Sequence, residues 1–161
     1  MGSAETQGND LPEATELSES STRSTLQMHT DVLGALGLIP FLGIPALVMT
    51  NHMSLFEAQG LFAQYSAVIL SFLGGIHWYD AIKRSQSIIQ LYIAMLPSIF
   101  AWSAIGFSYG NWTIVVLSVS FGVLLLYDFI QLKMTPDYQR LRIMLTGVVI
   151  GCHCFMIWLS I

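Results

Sequence analysis

The chain has 161 residues, of which 54% are hydrophobic and only 10% charged, with a mean hydropathy of +0.64. About 25% charged residues is ordinary for soluble domains, so these figures exclude a disordered chain, argue against a soluble globular domain and suit one embedded in lipid. The net charge of −4 points to neither nucleic acid nor an acidic substrate, because all of it lies in the first thirty residues.

Residues 1–30 hold Glu5, Asp10, Glu13, Glu16 and Glu19 against Arg23. They are rich in Ser, Thr and Glu and are predicted to be a disordered acidic tail. They match neither a secretory signal nor an Arg-rich, acid-poor transit peptide. Met1-Gly2-Ser3-Ala4-Glu5-Thr6 fits the myristoylation pattern in letter, although a multi-span body needs no lipid anchor.

From residue 31 the charges balance, and long charge-free runs appear at 32–56, 58–79, 85–127 and 143–161. A bilayer core of about 30 Å takes about 20 apolar residues in a helix. The run 85–127 holds two such helices, divided at Phe107-Ser108-Tyr109-Gly110-Asn111, which reads as a turn. The prediction is an all-α bundle of five transmembrane helices, at 32–51, 60–80, 87–107, 112–132 and 142–161. The domains are then a tail, 1–30, and a transmembrane body, 31–161. The short loops leave no room for an extramembrane domain.

All six Lys and Arg residues (Arg23, Lys83, Arg84, Lys133, Arg140, Arg142) fall on the side that holds the N-terminus. The positive-inside rule then places the N-terminus inside, in the cytoplasm or the mitochondrial matrix, and the C-terminus outside. Trp78, Tyr79 and Tyr127 near the inner helix ends, with Tyr109, Trp112 and Trp158 near the outer ones, form the expected aromatic belts.

Small residues let membrane helices approach closely. Gly74 and Gly75 in the second helix are expected to pack helices, as is the G-x-x-x-G pair Gly147 and Gly151 in the fifth. That packing is read as within one chain, with homodimerisation through Gly147 and Gly151 as the sharper alternative. Gly34, Gly37, Pro40, Gly43 and Pro45 predict a bent or broken first helix.

The candidate site is His77, Asp80 and Asp128, with Arg140 and Arg142 beside it. His77 and Asp80 are three residues apart and share a helix face. His77 and Asp128 lie at similar depth, about 5 Å inside the inner boundary at helical rise. Ionisable residues inside a membrane are functional candidates by default. One reading is a ligand or proton site that binds an anionic head group or passes protons. The other is structural, with Asp128 pairing Arg140 or Arg142 to lock the fourth loop.

No metal site or cofactor is expected. His77 and His153 differ in depth by about 13 Å, which disfavours a bis-His haem. Cys152-His153-Cys154 cannot converge on one ion, since neighbours on a helix point about 100° apart.

The stretch Tyr65-Ser66-Ala67-Val68-Ile69-Leu70-Ser71-Phe72-Leu73-Gly74-Gly75-Ile76-His77-Trp78 resembles the hallmark of a family of small, uncharacterised proteobacterial integral membrane proteins, a domain of unknown function. The mitochondrial transmembrane protein sixty-nine of animals resembles it too. Leu36-Gly37-Leu38-Ile39-Pro40-Phe41, Leu96-Pro97-Ser98, Tyr127-Asp128 and Tyr138-Gln139-Arg140-Leu141-Arg142 also fit. The resemblance covers about 32–161 and implies a multi-span inner-membrane protein. It implies no reaction, cofactor or site residue. Where the family often has Gly after the Trp, this chain has Tyr79.

Taken together, these features lead to a non-enzymatic structural, accessory or assembly component of a bacterial inner membrane, or of the mitochondrial inner membrane. Its expected partners are the lipid bilayer and another membrane protein or a second copy, with no nucleic acid. The alternative is a lipid- or quinone-binding protein, or a small proton-coupled carrier, using the polar cytoplasm-facing cluster.

Overall fold

In hydrocarbon every unsatisfied backbone group costs several kcal/mol, so a chain this apolar closes its hydrogen bonds within helices. The computed structural model describes residues 10–84, 87–131 and 135–161. They form α1 (Asp10–Leu36), α2 (Ile39–Met49), α3 (Leu55–Lys83), α4 (Ile88–Phe107), α5 (Asn111–Gln131) and α6 (Pro136–Trp158). No strand occurs among the described residues. Five segments are long and apolar enough to cross a membrane: Ser24–Met49, Leu55–Lys83, Ile88–Phe107, Asn111–Gln131 and Pro136–Trp158.

The chain divides into an N-terminal unit ending at Leu36 and a body, Gly37–Ile161. Residues 10–30, expected to lack structure, belong to α1. Straight-chain helix formers such as Glu13, Glu16 and Leu17 favour that state, and Pro12 sits in the first turn, where it costs nothing. Residues 1–9 lie outside the described residues.

The spans predicted from charge-free runs differ from the helices mainly at the ends, because caps set the ends. Ser54 caps α3 in a reciprocal box with Glu57: the Glu57 N–H donates to Ser54 Oγ at 3.3 Å, and the Ser54 N–H donates to Glu57 Oε2 at 3.2 Å. The helix therefore starts five residues before the predicted span. Thr135 caps α6 and Pro136 starts it, again ahead of the apolar run.

The first predicted span is broken at Gly37-Leu38, before Pro40. Proline is tolerated at a helix start because the missing N–H has no partner there. The break leaves carbonyls open, and Tyr65 on α3 answers one: its hydroxyl donates to the Gly37 carbonyl at 2.9 Å. Tyr65→Phe is expected to cost about 1 kcal/mol, seen as a lowered midpoint in thermal unfolding of the detergent-solubilised protein. The turn between α4 and α5 falls where expected, with Gly110 in the left-handed region at φ +59°.

Within the body α3 packs most extensively against α4 and also meets α2 and α5, while α6 lies on α5 and α2. Phe41, Phe62, Leu70, Ile114, Leu117, Phe121 and Met156 fill the centre. Phe41 and Phe62 meet edge to face at 5.4 Å. The outer surface is apolar instead of charged: Phe72 is 66% exposed, Leu126 65% and Ile130 76%. Meanwhile Asp128, Arg142, His77 and His153 are buried. A body that exposes large hydrophobics and buries its ions is built for lipid.

The four glycines expected to pack helices differ sharply. A Cβ on Gly74 would lie 3.0 Å from the Ala94 carbonyl oxygen and 3.2 Å from Pro97 Cβ, so α3 and α4 touch backbone to backbone there. At Gly75, Gly147 and Gly151 a Cβ would meet nothing within 4 Å. Gly75 is one residue farther on and turns about 100° away. Gly147 and Gly151 lie on the exposed face of α6, so their close packing within the chain does not occur among the described residues.

Candidate functional site

His77 lies within two turns of the end of α3, Asp128 in the last turn of α5 and Arg142 within two turns of the start of α6. These helix ends share one end of the body, so the three side chains converge. His77 Nε2 lies 2.5 Å from Asp128 Oδ1. Arg142 donates from Nε to Asp128 Oδ2 at 2.8 Å and also from Nη2 to that same oxygen. A carboxylate only accepts, so the His77 nitrogen facing it carries the proton.

Asp128 is fully buried, and His77 and Arg142 are each 6% exposed. Taking an ion from water into such a site costs several kcal/mol, which only tight, fully satisfied geometry offsets. Here both carboxylate oxygens are engaged by charge-assisted or imidazole donors. The cluster's chemistry is that of a three-helix clamp joining α3, α5 and α6.

The other predicted members stand apart. Asp80 pairs with Arg84 on its own helix, Arg84 Nε to Asp80 Oδ1 at 2.7 Å, in a partly exposed i,i+4 contact; such pairs contribute about 0.3–0.5 kcal/mol. Arg140 is exposed. It lies two residues before Arg142 and so about 200° away around the helix. Of the two arginines considered for Asp128, the structure brings Arg142 to it.

Around the clamp, the Tyr127 ring lies 4.9 Å from the His77 ring. The Tyr127 hydroxyl donates to Gln90 Oε1, tying α5 to α4. At the opposite end Gln59 Nε2 and Ser160 Oγ both donate to Asn111 Oδ1 at 2.7 Å, linking α3, α5 and the residues after α6. Neither network was expected from the sequence. Neutral polar residues near span ends are the signal that finds them, because Gln and Asn join helices by hydrogen bonds in lipid.

His153 belongs to a different layer. It packs against Phe62, Phe121 and Phe41 at ring distances of 4.8, 5.7 and 5.9 Å. Its Nδ1 donates to the Val149 carbonyl at 2.8 Å. Phe62 precedes His77 on α3 by fifteen residues, about 22 Å at helical rise, so the two imidazoles are far apart. Cys152 is buried and Cys154 exposed, pointing apart as helical neighbours must. No cluster of three or more metal-ligating side chains occurs among the described residues.

A cleft of about 450 Å³ lies between α4 and α5, with His77 and Tyr127 in its wall. Its other lining side chains are almost all apolar.

Residues 27–158 match the family described as "Protein of unknown function (DUF3429)". The chain is 35% identical over 126 residues to "Transmembrane protein 69" of Xenopus tropicalis, covering 73% of this chain and 49% of that protein. It is 34% identical over 118 residues to "Transmembrane protein 69" of Mus musculus, covering 70% of this chain and 48% of that one. The chain thus spans about half the length of these curated relatives. No solved structure matches it. The extent of the family match shows that the chain belongs to the DUF3429 family of multi-pass membrane proteins.

Proposed function

We propose that this DUF3429-family chain is a non-enzymatic structural or assembly component of a membrane complex. The observation that carries the reading is the His77–Asp128–Arg142 clamp. The buried ionisable residues there are spent on one another, with both carboxylate oxygens engaged. A clamp of this kind fixes the relative placement of three helices. The exposed face of α6 with Gly147 and Gly151 supports the reading, since small residues admit a neighbouring helix at short range.

The partner is another membrane protein or a second copy of the chain, in a bacterial inner membrane or the mitochondrial inner membrane. The N-terminus lies inside and the C-terminus outside. Lys83, Arg84, Arg140 and Arg142 all lie at the end of the body where α3 ends and α6 begins, which supports that orientation. A C-terminal reporter active only outside the membrane is expected to be active; activity of a cytoplasmic reporter there contradicts the orientation.

Purification from mild detergent tests the complex. The wild-type chain is expected to migrate with a membrane partner at fixed ratio. Gly147→Leu with Gly151→Leu is expected to release it while thermal unfolding is unchanged within about 0.5 kcal/mol. A wild-type chain that elutes solely as a monomer overturns the reading.

A further inference from the structure

We propose that the α4–α5 cleft binds the single long apolar chain of a lipid whose head is a hydroxyl donor, with that hydroxyl donating to His77 Nδ1. This goes beyond the structural reading and stands or falls separately from it.

Three observations carry it. The first is shape. The cleft holds about 450 Å³ and its wall includes Pro97, Trp112, Val119, Val123, Tyr127 and His77. From Trp112 to Tyr127 is fifteen residues of α5, about 22 Å at helical rise. That is most of the roughly 30 Å hydrocarbon core, so the cleft is a lengthwise slot sized for a chain, not a pit for a compact solute.

The second is access. Val119 and Val123 are each 60% exposed, so the slot opens on the apolar outer surface of the body, where a lipid enters sideways without crossing water.

The third is the polar end. His77 is 6% exposed and its Nε2 is engaged by Asp128. No described residue hydrogen-bonds its Nδ1. The carboxylate accepts from Nε2, and in the neutral form of the ring a proton on Nε2 leaves a lone pair on Nδ1. That atom keeps some open surface and His77 stands in the cleft wall, so a donor can arrive there, and an acceptor facing an apolar cleft gains from one. The ligand must therefore bring a donor, which selects an alcohol or phenol over an ether, ester or quinone carbonyl. Asp128 and Arg142 hold the ring in place, so the clamp also orients the acceptor.

The test uses the full chain in phosphatidylcholine nanodiscs and three probes of equal chain length: dodecanol, dodecylphenol and dodecyl methyl ether. Saturable binding of the alcohol or the phenol is expected, with the ether roughly threefold to tenfold weaker for want of the donor. A stronger phenol supports a ring-headed lipid of the quinol type as the source, and a stronger alcohol supports a simple lipid alcohol. Val119→Trp fills the slot without touching the clamp. It is expected to weaken binding at least tenfold at unchanged thermal midpoint. Equal binding of ether and alcohol, wild-type binding by a folded Val119→Trp protein, or no saturable binding of any probe overturns the proposal.

Discussion

Asp128→Asn is expected to destabilise the detergent-solubilised protein by about 3–5 kcal/mol. For a chain of this size that corresponds to a thermal midpoint lowered on the order of 10 °C. Interhelical hydrogen bonds in membranes are often worth well under 1 kcal/mol each, so lost hydrogen bonding alone does not give this figure. The cost comes from Arg142, which is 6% exposed and is left as a buried charge without its counter-ion. His77 also loses the carboxylate at 2.5 Å. Removing both partners together, as in Asp128→Asn with Arg142→Gln, is expected to recover much of the loss, because no uncompensated charge remains. Arg140→Ala, two residues away and exposed, is expected to stay within about 0.5 kcal/mol of wild type.

The second large effect is steric. Gly74→Leu is expected to cost about 1–3 kcal/mol or more, with Gly74→Ala toward the lower end. The first added carbon already lies 3.0 Å from the Ala94 carbonyl oxygen and 3.2 Å from the Pro97 ring. Both obstacles are stiff, one being backbone and the other a proline ring in mid-helix, so relief requires α3 and α4 to separate. Gly75→Ala is the control. It meets nothing within 4 Å and replaces a poor helix former, so it is expected to be neutral or stabilising by up to about 1 kcal/mol. Equal loss in the two variants would place the crossing elsewhere. Thermal unfolding in one detergent reads all of them.

The pattern of charge made the spans legible. Four charge-free runs and one Gly-Asn turn sufficed to place five helices, because a bilayer sets their length and excludes ions from their middles. The ends were less legible. Ser54 with Glu57, and Thr135 with Pro136, start their helices by local hydrogen bonding and backbone geometry, which hydropathy does not register. The helix over residues 10–30 was missed for a related reason: polar composition argued for disorder, while the individual residues include good helix formers.

At the candidate site, depth along the helices put His77 and Asp128 in one layer with Arg140 and Arg142 beside them, but depth does not fix rotation. Asp80 shares a helix face with His77 by spacing and yet pairs with Arg84 on its own helix. Arg140 and Arg142 stand two residues apart and are equal candidates for Asp128 by sequence, and about 200° of helical rotation separates them. Nor does spacing say which glycine of Gly74 and Gly75 faces a neighbour. The partners Gln59, Gln90, Asn111 and Ser160 were overlooked because uncharged polar residues do not interrupt an apolar run enough to stand out.

Whether the buried ions serve structure or ligand is the central question, and the doubly substituted protein separates the two. Asp128→Asn with Arg142→Gln, purified in mild detergent beside wild type, is to be compared by native mass spectrometry for the membrane proteins that accompany it. The structural account predicts a folded chain that keeps the same partner at the same ratio. A chain that folds as wild type but loses that partner contradicts it, and would make the charges themselves the functional element.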